Sequence, residues 1–144
     1  MDDCEIAVVG AGAAGLSLAH RLCAPEPGWG PVPAVTLIDA PPGPARPPER
    51  TWCYWEKPGG EFDDALSAEW ETLRVCAPDG TRVSGSPAPL RYKMLRSSSF
   101  EALVGARIDA EPRLRRVEAH VEEVRDTGAG AEIRGTAADG RPVS

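Results

Sequence analysis

The apolar run Glu5-Ile6-Ala7-Val8-Val9 passes without a break into Gly10-Ala11-Gly12-Ala13-Ala14-Gly15, and no other stretch limits the choice of fold as strongly. A buried strand that ends on glycines at this spacing and opens a helix forms an anion cradle. The first glycine permits the tight turn, the second lets a pyrophosphate approach the backbone, and the third lets helix and strand pack closely. Helix N-terminal amides and the macrodipole then favour negative charge at that corner. The residues assigned to phosphate contact are Gly10, Gly12, Ala13, Ala14 and Gly15. A glycine motif alone is weak, but the rest of the unit follows it. Leu16, Ala19, Leu22 and Cys23 recur at helical spacing, and Pro25 is expected to stop the helix. Ala34-Val35-Thr36-Leu37-Ile38 reads as a second buried strand closing on Asp39, whose carboxylate can accept from both ribose hydroxyls of an adenosine. Asp39 stands 24 positions after Gly15, a little beyond the usual separation, and the proline- and glycine-rich stretch from Ala24 to Pro33 accounts for the excess as an exposed connection. An acid at this position argues against a 2′-phosphorylated nucleotide.

Composition narrows the class. A chain of 144 residues has room for one domain with a core, and 42% hydrophobic content is ordinary for a globular fold. No run of about 18 apolar residues is present to span a bilayer. The acidic start Met1-Asp2-Asp3-Cys4-Glu5 is unlike a secretory signal, so a cytoplasmic location is expected. Cys4, Cys23, Cys53 and Cys76 show no paired spacing and no histidines at ligand distance, which points to free thiols and no metal. A net charge of −6 with only Lys57 and Lys93 as lysines leaves no basic surface for nucleic acid. The cluster Arg113, Arg115, Arg116 reads as a solvated helix-to-strand connection. His20 and His120 lack partner spacing for a ligand or base.

After Asp39 the chain departs from a plain nicotinamide-binding domain. Residues 41 to 48 contain five prolines, which rule out a crossover helix there. Residues 41–70 are therefore read as an inserted proline- and tryptophan-rich loop carrying Arg50-Thr51-Trp52-Cys53-Tyr54-Trp55-Glu56, a candidate site element. Thr72 to Ala77 and Thr81 to Ser84 flank Pro78-Asp79-Gly80 as a hairpin, and Leu90 to Leu95 is a further strand. Ser99 is expected to cap a helix from Phe100 to Ile108. Val117 to Val124 resumes the sheet, followed by meander arms at Glu132 to Thr136 and Arg141 to Ser144 around Asp139-Gly140. The fold class expected is α/β: a Rossmann-like FAD-binding domain with a βαβ unit, an inserted loop and hairpin, and a β-meander cut short at the C-terminus. Residues 1–144 would then be the N-terminal part of a longer FAD-binding domain.

Together the glycine motif, Asp39, Arg50-Thr51-Trp52-Cys53-Tyr54-Trp55-Glu56, and Tyr92-Lys93-Met94-Leu95-Arg96 with Phe100 resemble the flavin-dependent lycopene cyclases of carotenoid synthesis. The Arg-Thr-Trp-x-x-Trp-Glu segment carries most of the likeness. It extends over nearly all of this chain but only about the N-terminal third of the family's length, and the family's acidic motifs would fall beyond Ser144. The resemblance implies non-redox cyclisation of an acyclic polyene end, such as that of lycopene, to a β-ring. Reduced FAD is required, with NAD(P)H as a conceivable reductant, and membrane contact in the intact enzyme would be peripheral. It implies further cofactor contacts at Arg50, at Arg96 and at the backbone of Val121; the plain alternatives are Arg50 pairing with Glu49 or Glu56 and Val121 as a core residue. Trp52 and Trp55 are expected to border flavin or polyene, or else to plug the loop onto the sheet; Glu56 is a poor candidate for the catalytic acid, which stays unassigned. Two other classes remain open: an FAD-dependent monooxygenase or dehydrogenase acting on an apolar substrate, and a non-catalytic, truncated nucleotide-binding fragment.

Overall fold

A computed structural model of the chain describes residues 4–24, 28, 30–44, 46 and 48–144. They form two compact units, Met1–Pro48 with Val104–Ser144, and Glu49–Leu103.

The first unit is built on a five-stranded sheet in the order β1 (Ile6–Val9), β2 (Val35–Asp39), β8 (Leu114–Asp126), β9 (Ala131–Ala137), β10 (Pro142–Val143). The first three strands run parallel, and β9 and β10 add the antiparallel meander expected from the sequence. β2 is central, and Val35, Thr36, Leu37 and Ile38 are all buried, as a strand covered on both faces must be. Helix α1 (Ala13–Cys23) buries Leu16, Ala19 and His20, one stripe at i, i+3 and i+4. It closes at Ala24, whose N–H donates to the His20 carbonyl at 3.1 Å; Pro25, the expected stop, lies outside the described residues. A second cluster joins Ile38, Ala119 and Ile133, with Val117 and Val121 against it, so the alternation on β8 faces the core as predicted. The arginine cluster is not a plain connection. Arg115 and Arg116 lie inside β8, Arg113 pairs with Glu5 at 3.2 Å, and Arg116 with Asp109 at 2.7 Å.

The second unit corrects the expectation of a loop over residues 41–70. β3 (Thr51–Glu56) pairs along its whole length with β7 (Arg91–Arg96), and β4 (Leu66–Trp70) flanks β7 on the other side. The short 3-10 turn Asp63–Ala65 leads into β4. Strand pairing supplies the backbone partners that a proline-led segment lacks locally. The hairpin β5 (Leu73–Cys76) and β6 (Arg82–Gly85) stands as predicted. Helix α2 (Ser97–Asp109) starts two residues before the expected cap, because the Ser97 hydroxyl accepts the Arg50 N–H at 3.0 Å and places the chain in its helical turn at once. Among the described residues no helix is long and apolar enough to cross a membrane.

Lys93, on β7, is wholly inaccessible to solvent, yet each of its three protons has an acceptor: Glu56 Oε2 at 3.0 Å, the Lys57 carbonyl at 2.9 Å and Asp63 Oδ1 at 2.5 Å. Burial opposes its charge, but the hydrogen bonds to Asp63 and Glu56 outweigh that and hold the ammonium above its ordinary value. The same bond holds the Asp63 carboxyl below the usual carboxylate range. This cluster ties the 57–63 turn to the sheet.

Replacing Lys93 with Met should remove about 3 kcal/mol from the unfolding free energy, the low end for breaking a buried pair because both acids keep some contact with water; urea denaturation measures it. The depressed Asp63 value means a stabilising term that is complete above its unfolded value near pH 4 and disappears as pH falls through the lower folded value. The parent should therefore lose stability below about pH 4 more steeply than the Lys93→Met, Asp63→Asn double variant.

Candidate nucleotide-binding corner

The corner is made where β1 ends and α1 begins. Gly10 has φ +96°, a conformation L side chains rarely adopt, and its N–H donates to the Ile38 carbonyl at 2.7 Å, joining the turn to β2. A Cβ on Gly15 would lie 1.8 Å from the Gly10 carbonyl oxygen, so only glycine lets α1 start this close to β1. Gly12 is the N-cap and has no side-chain capping bond; a Cβ there would meet nothing within 4 Å. The helix thus begins with no side-chain cap and no acid in its first turn, and the amides of Ala13, Ala14 and Gly15 have no partner within the helix. An anion of phosphate size is the chemistry such a cradle accommodates.

Asp39 closes the corner from the end of β2. Its Oδ1 accepts the Ala11 N–H at 3.0 Å, and Arg46 lies 3.0 Å from Oδ2. The acid picked from sequence is therefore placed beside the glycine turn. Val121 sits further along β8, beyond the last residue pair that β8 shares with β2, Asp39 with Glu118. From Ala119 to Asp126 the β2 side of β8 carries no partner strand among the described residues. The Val121 side chain packs against the Ile38 cluster, as a core valine does.

Arg50 and Arg96 belong to the second unit: Arg96 pairs with Thr51 at the end of the β3–β7 ladder, and Arg50 lies one residue before β3, opposite Ser97. Arg50 contributes its amide to Ser97; the two acids considered as its partners are engaged elsewhere, Glu49 with the Ser98 hydroxyl and Glu56 with Lys93. Arg96 is exposed.

The tryptophans expected to act together are separated by the pleat. Trp52 faces inward, edge-on to Phe100 at 5.8 Å, and Phe62 meets the same ring at 5.1 Å. Trp55 faces the other way. It stacks on Tyr92 at 4.7 Å, and Tyr92 meets Trp70 at 5.8 Å, so three aromatic side chains form a row across β3, β7 and β4. Trp55 is 48% and Trp70 39% exposed, unusual for rings of this size. Trp70 and Tyr92 were not singled out from sequence as site residues; the only available signal was aromatic content at alternate positions of strands whose pairing was unknown. On the inward face, burial pushes the Tyr54 phenol up, helped by the nearby Glu56 carboxylate.

A family model described as "Lycopene cyclase protein" matches residues 5–144. No curated protein matches the chain. Among solved structures, PqsL from Pseudomonas aeruginosa in complex with 2-aminobenzoylacetate is similar at 18% identity and a TM-score of 0.67, over 98% of this chain and 40% of that one. The p-nitrophenol 4-monooxygenase PnpA from Pseudomonas putida DLL-E4 is similar at 15% identity and a TM-score of 0.68, over 96% of this chain and 37% of that one. A triple mutant of the flavin-dependent brominase Bmp2 aligns at 14% identity with a TM-score of 0.63, over 98% and 36%. The chain thus spans about two fifths of these proteins' length, and at such identities the likeness shows the fold: a Rossmann-like flavoprotein fold.

Two glycine substitutions should separate stability from binding. Gly15→Ala should cost about 1–3 kcal/mol through overpacking against the Gly10 carbonyl. Gly12→Ser should leave the unfolding free energy within about 0.5 kcal/mol of the parent while weakening FAD binding at least about tenfold, because its side chain enters the cradle; flavin fluorescence titration reads the second effect.

Proposed function

This chain belongs to the lycopene cyclase family, and from that premise we propose that it forms the FAD-holding part of an enzyme that cyclises the end of an acyclic carotenoid without net oxidation. The observation that carries the reading is the glycine corner, open at Gly12 and closed by Asp39. Gly10 to Gly15 would hold the pyrophosphate, Asp39 the ribose and the free edge of β8 at Val121 the adenine. Arg50 and Arg96 are the further cofactor contacts we assign. When bound, reduced flavin supplies an electron-rich ring system; NAD(P)H is the reductant we expect to keep it reduced.

Cyclisation needs a proton donor and a surface that tolerates a carbocation. A carboxylic acid keeps its proton when it is buried without a partner. Among the described residues no aspartate or glutamate is buried, and Glu56 and Asp63 are bound to the Lys93 ammonium. Glu56 is therefore unsuited to the acid's role. The row Trp55, Tyr92, Trp70 fits the other requirement, since aromatic faces attract cations and present a flat apolar surface to a conjugated chain. The substrate class we assign is a carotenoid such as lycopene, reached by peripheral contact with the membrane that dissolves it.

The test uses the intact protein that carries this segment, supplied with lycopene and reduced FAD in the absence of oxygen. A cyclic product of unchanged mass is expected; an oxygenated product formed only in air, with no cyclic isomer, overturns the reading in favour of a monooxygenase. A Trp55→Ala, Trp70→Ala variant should lower cyclic product about five- to thirtyfold with FAD affinity unchanged, as loss of cation–π stabilisation worth about 1–2 kcal/mol would require.

A further inference from the structure

Arg46 reaches back from the proline-rich segment onto the corner. Its Nε donates to the Ala40 carbonyl at 2.7 Å, and its guanidinium lies 3.0 Å from Asp39 Oδ2 and 3.6 Å from Glu118 Oε1. Asp39 and Glu118 are direct register partners at the end of the parallel β2–β8 pair, so two negative charges stand side by side there. Like charges in that position repel, and the guanidinium between them removes the repulsion. All three side chains are partly exposed, so these contacts add little stability; what they fix is geometry. One Asp39 oxygen is held by the Ala11 amide and the other by Arg46, which sets the plane of the carboxylate and leaves acceptor capacity on both oxygens.

We propose that Arg46 is a positioning residue for the nucleoside end of the cofactor, resting on the FAD reading above. It holds the Asp39 carboxylate rigidly enough to accept from both vicinal hydroxyls of a ribose. Because its own charge is taken up by two carboxylates and a carbonyl, Arg46 does not serve as a receptor for a 2′-phosphate, and the corner selects the unmodified sugar. An arginine beside the ribose acid would ordinarily suggest the opposite preference.

The experiment compares FAD with FAD lacking the adenosine 2′-hydroxyl, titrated into the full chain and into Arg46→Gln and Arg46→Lys variants. The parent should prefer FAD by at least about tenfold, the usual worth of a hydrogen bond to a charged acceptor. In Arg46→Gln that preference should shrink below about threefold, and Arg46→Lys should recover part of it. A glutamine variant that binds both forms more weakly but keeps the full preference shows that Arg46 merely anchors its loop and overturns the proposal. So does a parent that binds FAD without distinguishing the two sugars, an outcome that leaves the FAD reading standing. A parent that takes up no adenine dinucleotide overturns the FAD reading and this proposal with it. Should Arg46→Gln fail to fold, the parent and lysine preferences decide the matter.

Discussion

The hydrogen bond from the Ala11 amide to Asp39 Oδ1 ties the turn after β1 to the end of β2, and the nucleotide corner depends on it. It does so next to a second tie, Gly10 N–H to the Ile38 carbonyl. With both in place the start of α1 cannot swing away from the strand ends, and its first-turn amides keep a fixed direction. An anion site of this kind draws its strength from preorganisation: dipoles already aimed at the ligand need no reordering when it arrives. The buried strand β2 supplies the rigidity, since it is covered on both faces and hydrogen-bonded on both edges.

Much of this corner was legible in the sequence because each of its parts leaves a local mark. Glycine spacing, helical periodicity and an acid at a strand end are all features of contiguous residues, and the βαβ unit fell where they indicated. The meander was legible for the same reason, with Asp139-Gly140 marking its last turn. The arginine that holds Asp39 was not. Arg46 sits among prolines, whose only local message is the absence of a helix, and its two acids are brought together by the register of β2 with β8.

β3 is hidden in the sequence for a related reason. Aromatic residues occupy both parities, Trp52 and Tyr54 on one and Trp55 on the other, so the alternation that identifies a half-buried strand is blurred. Both faces of this strand are in fact chosen for bulk. One plugs the inside against Phe100, and the other joins Tyr92 and Trp70 in an exposed row. Glu56 looked like a solvated loop acid because its partner Lys93 is 37 residues away. A wholly buried lysine cannot be inferred from sequence without knowing that Glu56 and Asp63 converge on it.

The two units divide the chemistry. The first offers polar backbone and an ion-bridged acid, suited to a dinucleotide. The second exposes aromatic rings and locks its inward-facing Glu56, with Asp63, to Lys93. That lock has a consequence for any acid-catalysed reaction carried out beside the aromatic row. The bond to Lys93 holds the Asp63 carboxyl below the usual carboxylate range, which makes Asp63 a poor proton donor and a stable fixed charge. With the lysine's charge offset by two acids, the inward face of the sheet carries little net positive potential, which would otherwise oppose a cation forming on the opposite face. The arrangement that stabilises this small sheet also keeps its electrostatics compatible with the chemistry proposed for it.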